Sequence, residues 1–366
     1  MAARRGIPII IGGVHATLNP QIAFKDFPMT HAIVRGPGEY ALIHILKGDK
    51  NEYPGIYFKE DKNSNRKDYA LPYPINQIPS INYAIWVPNP LTQKVIQLPE
   101  RKIEIREISL FETYGCPFEC TYCSTPVLVG RGQGRKPYLK PSTEKILQDV
   151  ELSLQTGANA IHFLDDMFFL SPKEFEDFYH GLLSLNPSEF YWRGMTRASI
   201  IERFTDEQLQ LLPQSGAWRI ALGVESGDAE MLNRIRKGIT LNQVRNAVLR
   251  LRKAGVPQVK AFFIMGFPDE TLKQILNTKN FIMELKNLGL TDISLFQFKP
   301  YPGTEEWLYL EKTNPAILEE LSYIRRGNNQ KLVVDAKLPD DLQIAQVPSR
   351  IVREIIEQTL NEFYAQ

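Results

Sequence analysis

Between residue 107 and about residue 310, short apolar runs alternate with longer stretches in which apolar residues recur every three or four positions. The runs at residues 108–111, 160–164, 190–193, 219–222, 260–265 and 293–298 predict strands. The amphipathic stretches at residues 143–155, 172–185, 205–214, 241–254 and 272–288 predict helices between them. Ser142, Ser171 and Thr205 stand as N-caps ahead of acidic or amide residues, and Gly157, Gly216, Gly255 and Gly289 fall where helices end. Strands joined by helical crossovers form a parallel sheet, here predicted to curl into a partial (β/α)6 barrel over residues 106–310. The C-terminal ends of such strands are where active-site residues gather.

The pattern upstream is different. Residues 7–11 (Ile-Pro-Ile-Ile-Ile) are continuously apolar, which predicts a strand buried on both faces. Gly12 and Gly13 then turn the chain, and a short helix is expected over residues 22–27. Residues 31–34 read as a second strand, residues 35–39 (Arg-Gly-Pro-Gly-Glu) as a second turn, and residues 40–46 as a helix. This is the rhythm of a doubly wound, Rossmann-like sheet, but residues 1–60 are too few for a whole domain of that kind. Residues 61–105 read as a connector. A charged loop at residues 59–68 leads into Pro72, Pro74, Pro79, Pro88, Pro90 and Pro99, a density that predicts an extended surface linker onto which Tyr73, Tyr83 and Trp86 can pack either domain. In the C-terminal segment, residues 311–366, one amphipathic helix is expected at residues 349–363.

Composition narrows the class. At 43% hydrophobic and 23% charged, the 366 residues are those of an ordinary globular protein. A formal net charge of +1 leaves no electrostatic footprint for nucleic acid or an anionic membrane, and no apolar run is long enough for a transmembrane segment. The first residues read as a buried strand rather than a signal peptide, and clustered free thiols argue for the reducing cytoplasm.

The only three cysteines, Cys116, Cys120 and Cys123, lie within eight positions of one another. Three thiols leave one over for a disulfide framework, and such short spacings close only small loops. A structural zinc site wants four ligands, and no histidine follows at finger spacing. Three thiolates on one tight loop suit an iron–sulfur cluster with one iron left open. Residues 130–136 are Gly-rich but lack the Lys-Ser/Thr ending of a phosphate loop, so a flap beside the cluster is the better reading.

Cys-x3-Cys-x2-Cys after an apolar strand, with Tyr122 before the last cysteine, resembles the radical S-adenosylmethionine (SAM) superfamily. The resemblance implies a 4Fe-4S cluster on Cys116, Cys120 and Cys123, with SAM on the fourth iron, and reductive cleavage of SAM to a 5′-deoxyadenosyl radical. An external one-electron reductant of the flavodoxin or ferredoxin type is implied with it. Further matches follow at the strand ends. Asp165 and Asp166, not separable from sequence, resemble the acidic element that binds the SAM ammonium. Arg193 and Arg197 are open between pairing with the SAM carboxylate, pairing with those acids, and a surface ion pair. Gly223-Val-Glu-Ser is similar to the ribose-contact element, with Glu225 on the hydroxyls and Ser226 capping the next helix. Gly266-Phe-Pro-Asp-Glu-Thr resembles an element whose backbone flanks adenine, and the turn at Phe298 supports adenine or substrate.

Gly12 and Gly13 are similar to the Gly-Gly element of cobalamin-binding domains that precede the radical SAM domain in one branch of the superfamily. Pro37 departs from the later Gly-Glu-Gly-Glu turn, and the Asp-x-His-x-x-Gly loop of such domains is missing. His15 reads as a turn histidine without a metal role. Three explanations stand open: a fragment, an upstream half supplied by a separate chain, or a remnant that no longer binds cobalamin. The expected function is a radical SAM enzyme acting on a small-molecule substrate, with cobalamin-dependent C-methyl transfer favoured. The alternative is cyclisation, rearrangement or methylthiolation without cobalamin, although methylthiotransferases carry three further cysteines that this chain lacks. A non-catalytic iron–sulfur electron-transfer or scaffold protein is the reading from another class.

Overall fold

The alternating strands and helices are laid out in a computed structural model that describes residues 5–48, 53–59, 68–82, 91–130, 138–187, 189–321, 324–326, 332–334 and 338–365. The chain divides into two units. One comprises residues 79–114, 140–299 and 339–366, and the other residues 1–78, 115–139 and 300–338.

A seven-stranded sheet organises the first of these. In chain order its strands are β1 (Thr92–Gln97), β2 (Lys102–Leu110), β3 (Ala160–Phe163), β4 (Tyr191–Thr196), β5 (Ala217–Glu225), β6 (Gln258–Met265) and β7 (Asp292–Gln297). They are ordered β7-β6-β5-β4-β3-β2-β1, and every pair is parallel except β1 with β2. Helices Thr143–Leu154, Pro172–Leu185, Asp206–Gln214, Leu241–Lys253 and Leu272–Asn287 make the crossovers, so β2 to β7 are the six strands of a partial (β/α) barrel. Their starts are chemically explicit. Ser142 and Ser171 accept from the amides of Lys145 and Glu174, and Thr205, Thr240 and Thr271 each form a full capping box.

Between sheet and helices lies an aromatic core. Phe163 stacks on Phe168 with ring centroids 3.8 Å apart, and Trp192, Phe175 and Phe178 close around them. Each fully buried side chain of this size contributes on the order of 2–3 kcal/mol over exposure. At the far edge of the sheet, the final helix, Ser349–Tyr364, reaches β7. The Tyr364 hydroxyl accepts from the Ile293 N–H at 3.1 Å and lies 2.5 Å from Asp292 Oδ1.

Part of the expected connector is sheet. Thr92–Gln97 pairs antiparallel with β2, which itself begins at Lys102. The proline-dense stretch hid this, because β1 lies between prolines rather than among them. The alternation of Lys102, Glu104 and Arg106 outward with Ile103, Ile105 and Glu107 inward marks a strand with only one buried face.

The other unit holds a three-stranded sheet of Ile10–Ile11, Ala32–Val34 and Ile56–Phe58. The first pair is parallel and the second antiparallel. The apolar run at residues 7–11 is not buried on both faces: Ile7 is 50% exposed and Ile10 and Ile11 are half-buried, as befits an edge strand with one neighbour. Helix Val14–Leu18, immediately after the Gly12–Gly13 turn, and the strand Ile56–Phe58 were not legible as elements. The helices Pro20–Asp26 and Glu39–Lys47 fall close to their expected places. The charged loop at residues 59–68, Tyr83 and Trp86, and the flap at residues 130–136 fall wholly or largely outside the described residues. Among the described residues no helix is long and apolar enough to cross a membrane.

Candidate functional site

The thiols sit on a loop that leaves β2 after four residues, turning at Gly115 with φ +89°. None of the three is in a disulfide; Cys120 is buried and Cys116 and Cys123 are half-buried. The Cys123 N–H donates to the Cys120 carbonyl at 3.2 Å, and the short helix Thr125–Leu128 starts at once. The Thr125 N–H donates to Cys123 Sγ at 3.4 Å. Among the described residues no three His, Cys, Asp or Glu side chains are grouped to hold one metal ion. A cluster asks for something else, one thiolate per iron, and three thiols outside any disulfide on one short loop fit that demand.

Within the same unit the loop is braced from behind. The Thr121 hydroxyl donates to Glu306 Oε1 at 2.6 Å, both buried, and the Thr121 carbonyl accepts from the Glu305 N–H at 3.1 Å. Tyr122 is half-buried between these anchors and Cys123. Helix Val14–Leu18 packs on helix Thr125–Leu128, and a Cβ on Gly303 would lie 3.1 Å from Val127 Cγ1. The Gly12–Gly13 turn thus leads directly into a helix that packs on the one following the thiol loop. Gly12 passes the Val34 carbonyl, and Gly13 has φ +85° with open space where a Cβ would be. His15 Nε2 is 2.9 Å from Asp26 Oδ2, an ordinary local pairing.

The other sequence-predicted residues stand in a row along the C-terminal edge of the barrel sheet, each just past or at the end of β3, β4, β5, β6 or β7. Burial separates the two acids after β3. Asp165 is 1% exposed, and its Oδ1 accepts from the backbone N–H groups of Glu112 (3.0 Å) and Thr113. Burial raises its pKa against those hydrogen bonds. These bonds hold the chain where it leaves β2, while Asp165 Oδ2 is buried without a hydrogen-bond partner among the described residues. Asp166 is half-buried. Glu112 itself was missed. Burial first, then Asp149 and Asp165, push its pKa up to about 8, while Lys145 pairs with Asp149. Nothing in sequence joins Glu112 to Asp149, 37 positions on.

Arg197, 4% exposed, caps the short helix Ala198–Ile201 with its backbone, and its Nη2 lies 3.3 Å from where a Cβ on Gly238 would be. Arg193 is elsewhere: it forks onto Glu107 inside the barrel, with both N–O distances 2.8 Å.

Glu225 ends β5 at φ +74°, a conformation that costs a non-glycine residue about 1–3 kcal/mol. Its Oε1 accepts from Lys237 Nζ at 2.9 Å, with both residues buried. A Cβ on Gly223 would fall 2.8 Å from that carboxylate and 2.9 Å from the ammonium, so the glycine makes room for the pair. Lys237 was given no role from sequence. Ser226 does not cap the following helix. Asp228 does, accepting from the Met231 N–H at 2.9 Å, because Ser226 Oγ is fully buried against Thr278 at 3.2 Å and accepts from the Asp228 N–H.

After β6 the chain turns at Gly266, φ +92°. Glu270 Oε2 accepts from the Gly266 and Phe267 N–H groups at 2.5 and 3.1 Å, and burial lifts the Glu270 pKa to about 7. Phe298 is 2% exposed, donates its N–H to Met265 and packs its ring 5.1 Å from that of Phe267.

With this geometry in place, comparison with known proteins is direct. A family model described as the radical SAM superfamily matches residues 112–282. The chain is 29% identical over 320 residues to the uncharacterized methyltransferase PH0819 of Pyrococcus horikoshii, covering 84% of this chain and 63% of that protein. It is 25% identical over 307 residues to bacteriochlorophyllide d C-12(1)-methyltransferase of Chlorobaculum tepidum, covering 83% and 60%. Among solved structures it is similar in fold to apo OxsB, a cobalamin-dependent S-adenosylmethionine radical enzyme, with TM-score 0.70 and 19% identity over 99% of this chain and 55% of that one. In each case this chain spans less than two thirds of the other protein.

Proposed function

Residues 112–282 of this chain belong to the radical SAM superfamily, and from that premise we propose that the protein cleaves SAM reductively and directs the resulting chemistry to methylation of a carbon on a small molecule. The observation that carries the proposal is the loop of three thiols, none in a disulfide, that follows the first parallel strand of a half-barrel. Cys116, Cys120 and Cys123 would hold a 4Fe-4S cluster, with Tyr122 shielding it. When bound, the cluster supplies one electron to the SAM sulfonium, whose carbon–sulfur bond breaks to leave methionine and a 5′-deoxyadenosyl radical.

The strand-end residues take the binding roles. Asp166 meets the SAM ammonium, while Asp165 fixes the chain ahead of the thiol loop. Arg197 offers its guanidinium to the SAM carboxylate. Glu225, held in place by Lys237, accepts from the ribose hydroxyls, with Ser226 fixing the turn behind it. Gly266 lets backbone approach the adenine, and Phe298 backs that turn. The printed names of the two methyltransferase relatives favour methyl transfer, and the OxsB likeness favours cobalamin as the second cofactor, approached by Gly12 and Gly13. An external one-electron reductant is the partner this reading calls for, in the reducing cytoplasm.

The test is anaerobic reconstitution with iron, sulfide and hydroxocobalamin, followed by desalting, a visible spectrum, and incubation with SAM and a strong reductant. An iron–sulfur spectrum with 5′-deoxyadenosine above a Cys120→Ala control is the expected result. Retained cobalamin supports methyl transfer, and cobalamin lost on desalting removes it. No 5′-deoxyadenosine above the control overturns the enzymatic reading in favour of a non-catalytic iron–sulfur protein.

A further inference from the structure

Inside the barrel sheet lies a layer of charge that neither the thiols nor the strand-end row uses. Arg193 forks onto Glu107, and Lys94 Nζ is 2.5 Å from the same carboxylate. On β5 and β6, Arg219 Nη2 and Lys260 Nζ lie 3.4 and 3.2 Å from Asp292 Oδ2 on β7. Four cations therefore share two carboxylates. The side chains of all four are between 18% and 29% exposed, so the layer is sheltered but not sealed.

Below, the layer rests on Trp218. The cationic centres of Lys94, Arg193 and Arg219 are 5.3, 5.8 and 4.6 Å from its ring centroid, and the indole packs among Ile96, Ile103 and Ile105. Above, the same strand faces open out. Ser109 and His162, paired across β2 and β3, are exposed and half-buried. One position pair higher come Phe111 at 60% and Leu164 at 49% exposure, and on β7 Phe296 at 52%. The surplus of positive charge is felt locally. Burial and then Arg193 bring the His162 pKa down to about 4, and Arg193 and Arg219 add to burial in lowering that of Lys94.

Sheltered charge is costly unless it is paired with opposite charge, and here cations outnumber carboxylates, Arg219 turning also to the neutral Gln258 Oε1. We propose that this layer receives the anionic end, a carboxylate or a phosphate, of an otherwise apolar substrate whose body lies along Phe111, Leu164 and Phe296. The assignment of that ligand as substrate rests on the radical SAM reading; the anion site itself stands on the geometry of the layer.

The experiment is a fluorescence titration of the full chain with 1-pyrenebutyrate, 1-pyrenylmethyl phosphate and the neutral 1-pyrenebutanol. At least one anionic probe should bind roughly tenfold tighter than the alcohol at low salt, with the gap narrowing as salt rises. The tighter of the two anions names the group. Lys260→Met should weaken anion binding about five- to tenfold, Asp292→Asn should strengthen it, and the alcohol, unmoved in both, reports that the fold is intact. Equal affinity for anions and alcohol, or anion binding indifferent to both substitutions, overturns the proposal. Because no probe needs iron or SAM, selective anion binding by a protein that fails to cleave SAM would sink the enzymatic reading and leave this site standing.

Discussion

In the strand-end row, buried acids already have protein partners. Asp165 takes two backbone amides, Glu270 takes two more, and Glu225 takes Lys237. In the thiol loop, the three chemically important groups are sulfurs arranged by turns and braced by Thr121 and Glu306 from behind. The row is held by internal hydrogen bonds, although Asp165 Oδ2 and Glu270 Oε1 stay buried without a hydrogen-bond partner among the described residues; on the proposed function the loop is completed by a cluster. A pocket for an intact cofactor molecule keeps its shape empty; a ligand set for a cluster gains its strongest bonds only on loading.

The sharpest way to break this contrast is to remove one thiol. Cys116→Ser, Cys120→Ser and Cys123→Ser should each abolish cluster assembly, read as iron content and visible absorbance near background, because no spare cysteine exists. Any variant that keeps full iron would end the assignment. Next comes Glu225→Ala, which should leave iron content intact and cost SAM affinity on the order of tenfold by calorimetry. It also strands Lys237 at 7% exposure, so a fall in thermal stability should accompany it, as expected when a buried pair loses one partner. If SAM affinity is unmoved, the ribose role falls.

Gly223→Ala tests the same pair more gently. The new methyl meets the side-chain ends of Glu225 and Lys237, so it should push the buried ion pair apart, weaken SAM binding severalfold and lower the melting temperature less than Glu225→Ala does. A large loss of stability instead would mean the glycine serves the backbone. The smallest effect expected is in pH dependence. The folded-state pKa values of Glu112 and Glu270, about 8 and 7, are raised above the ordinary value of 4.5. The native state therefore holds protons the unfolded chain has released, and stability should decline as pH rises from about 4.5 through those values. Glu112→Gln should flatten the upper part of that decline in melting curves between pH 6 and 9. An unchanged slope would show that Glu112 does not hold its proton there.

Much of the barrel was legible because its signals are local. Thr205 and Gln208 cap one another across three positions, and Pro172–Leu185 begins and ends where its Ser171 and its apolar spacing say. The thiols were legible for the same reason. What escaped were relations set by the third dimension. The strand Thr92–Gln97 exists because β2 extends back to Lys102 and offers it an edge. Ser226 looked like a cap until Thr278, 52 residues on, claimed its hydroxyl and left the task to Asp228. Asp165 and Asp166 could not be told apart in sequence because their difference lies in which side faces the amides of Glu112 and Thr113. At the N-terminal segment the apolar run of residues 7–11 misled, since hydrophobicity alone does not say how many neighbours a strand has.

An open sheet must also avoid recruiting strangers. At β7, the Tyr364 hydroxyl answers the Ile293 amide that would otherwise invite another strand. One phenol at the end of the final helix thus acts against self-association, and Tyr364→Phe should make the protein more prone to aggregate on concentration, by light scattering, before it makes it less able to fold.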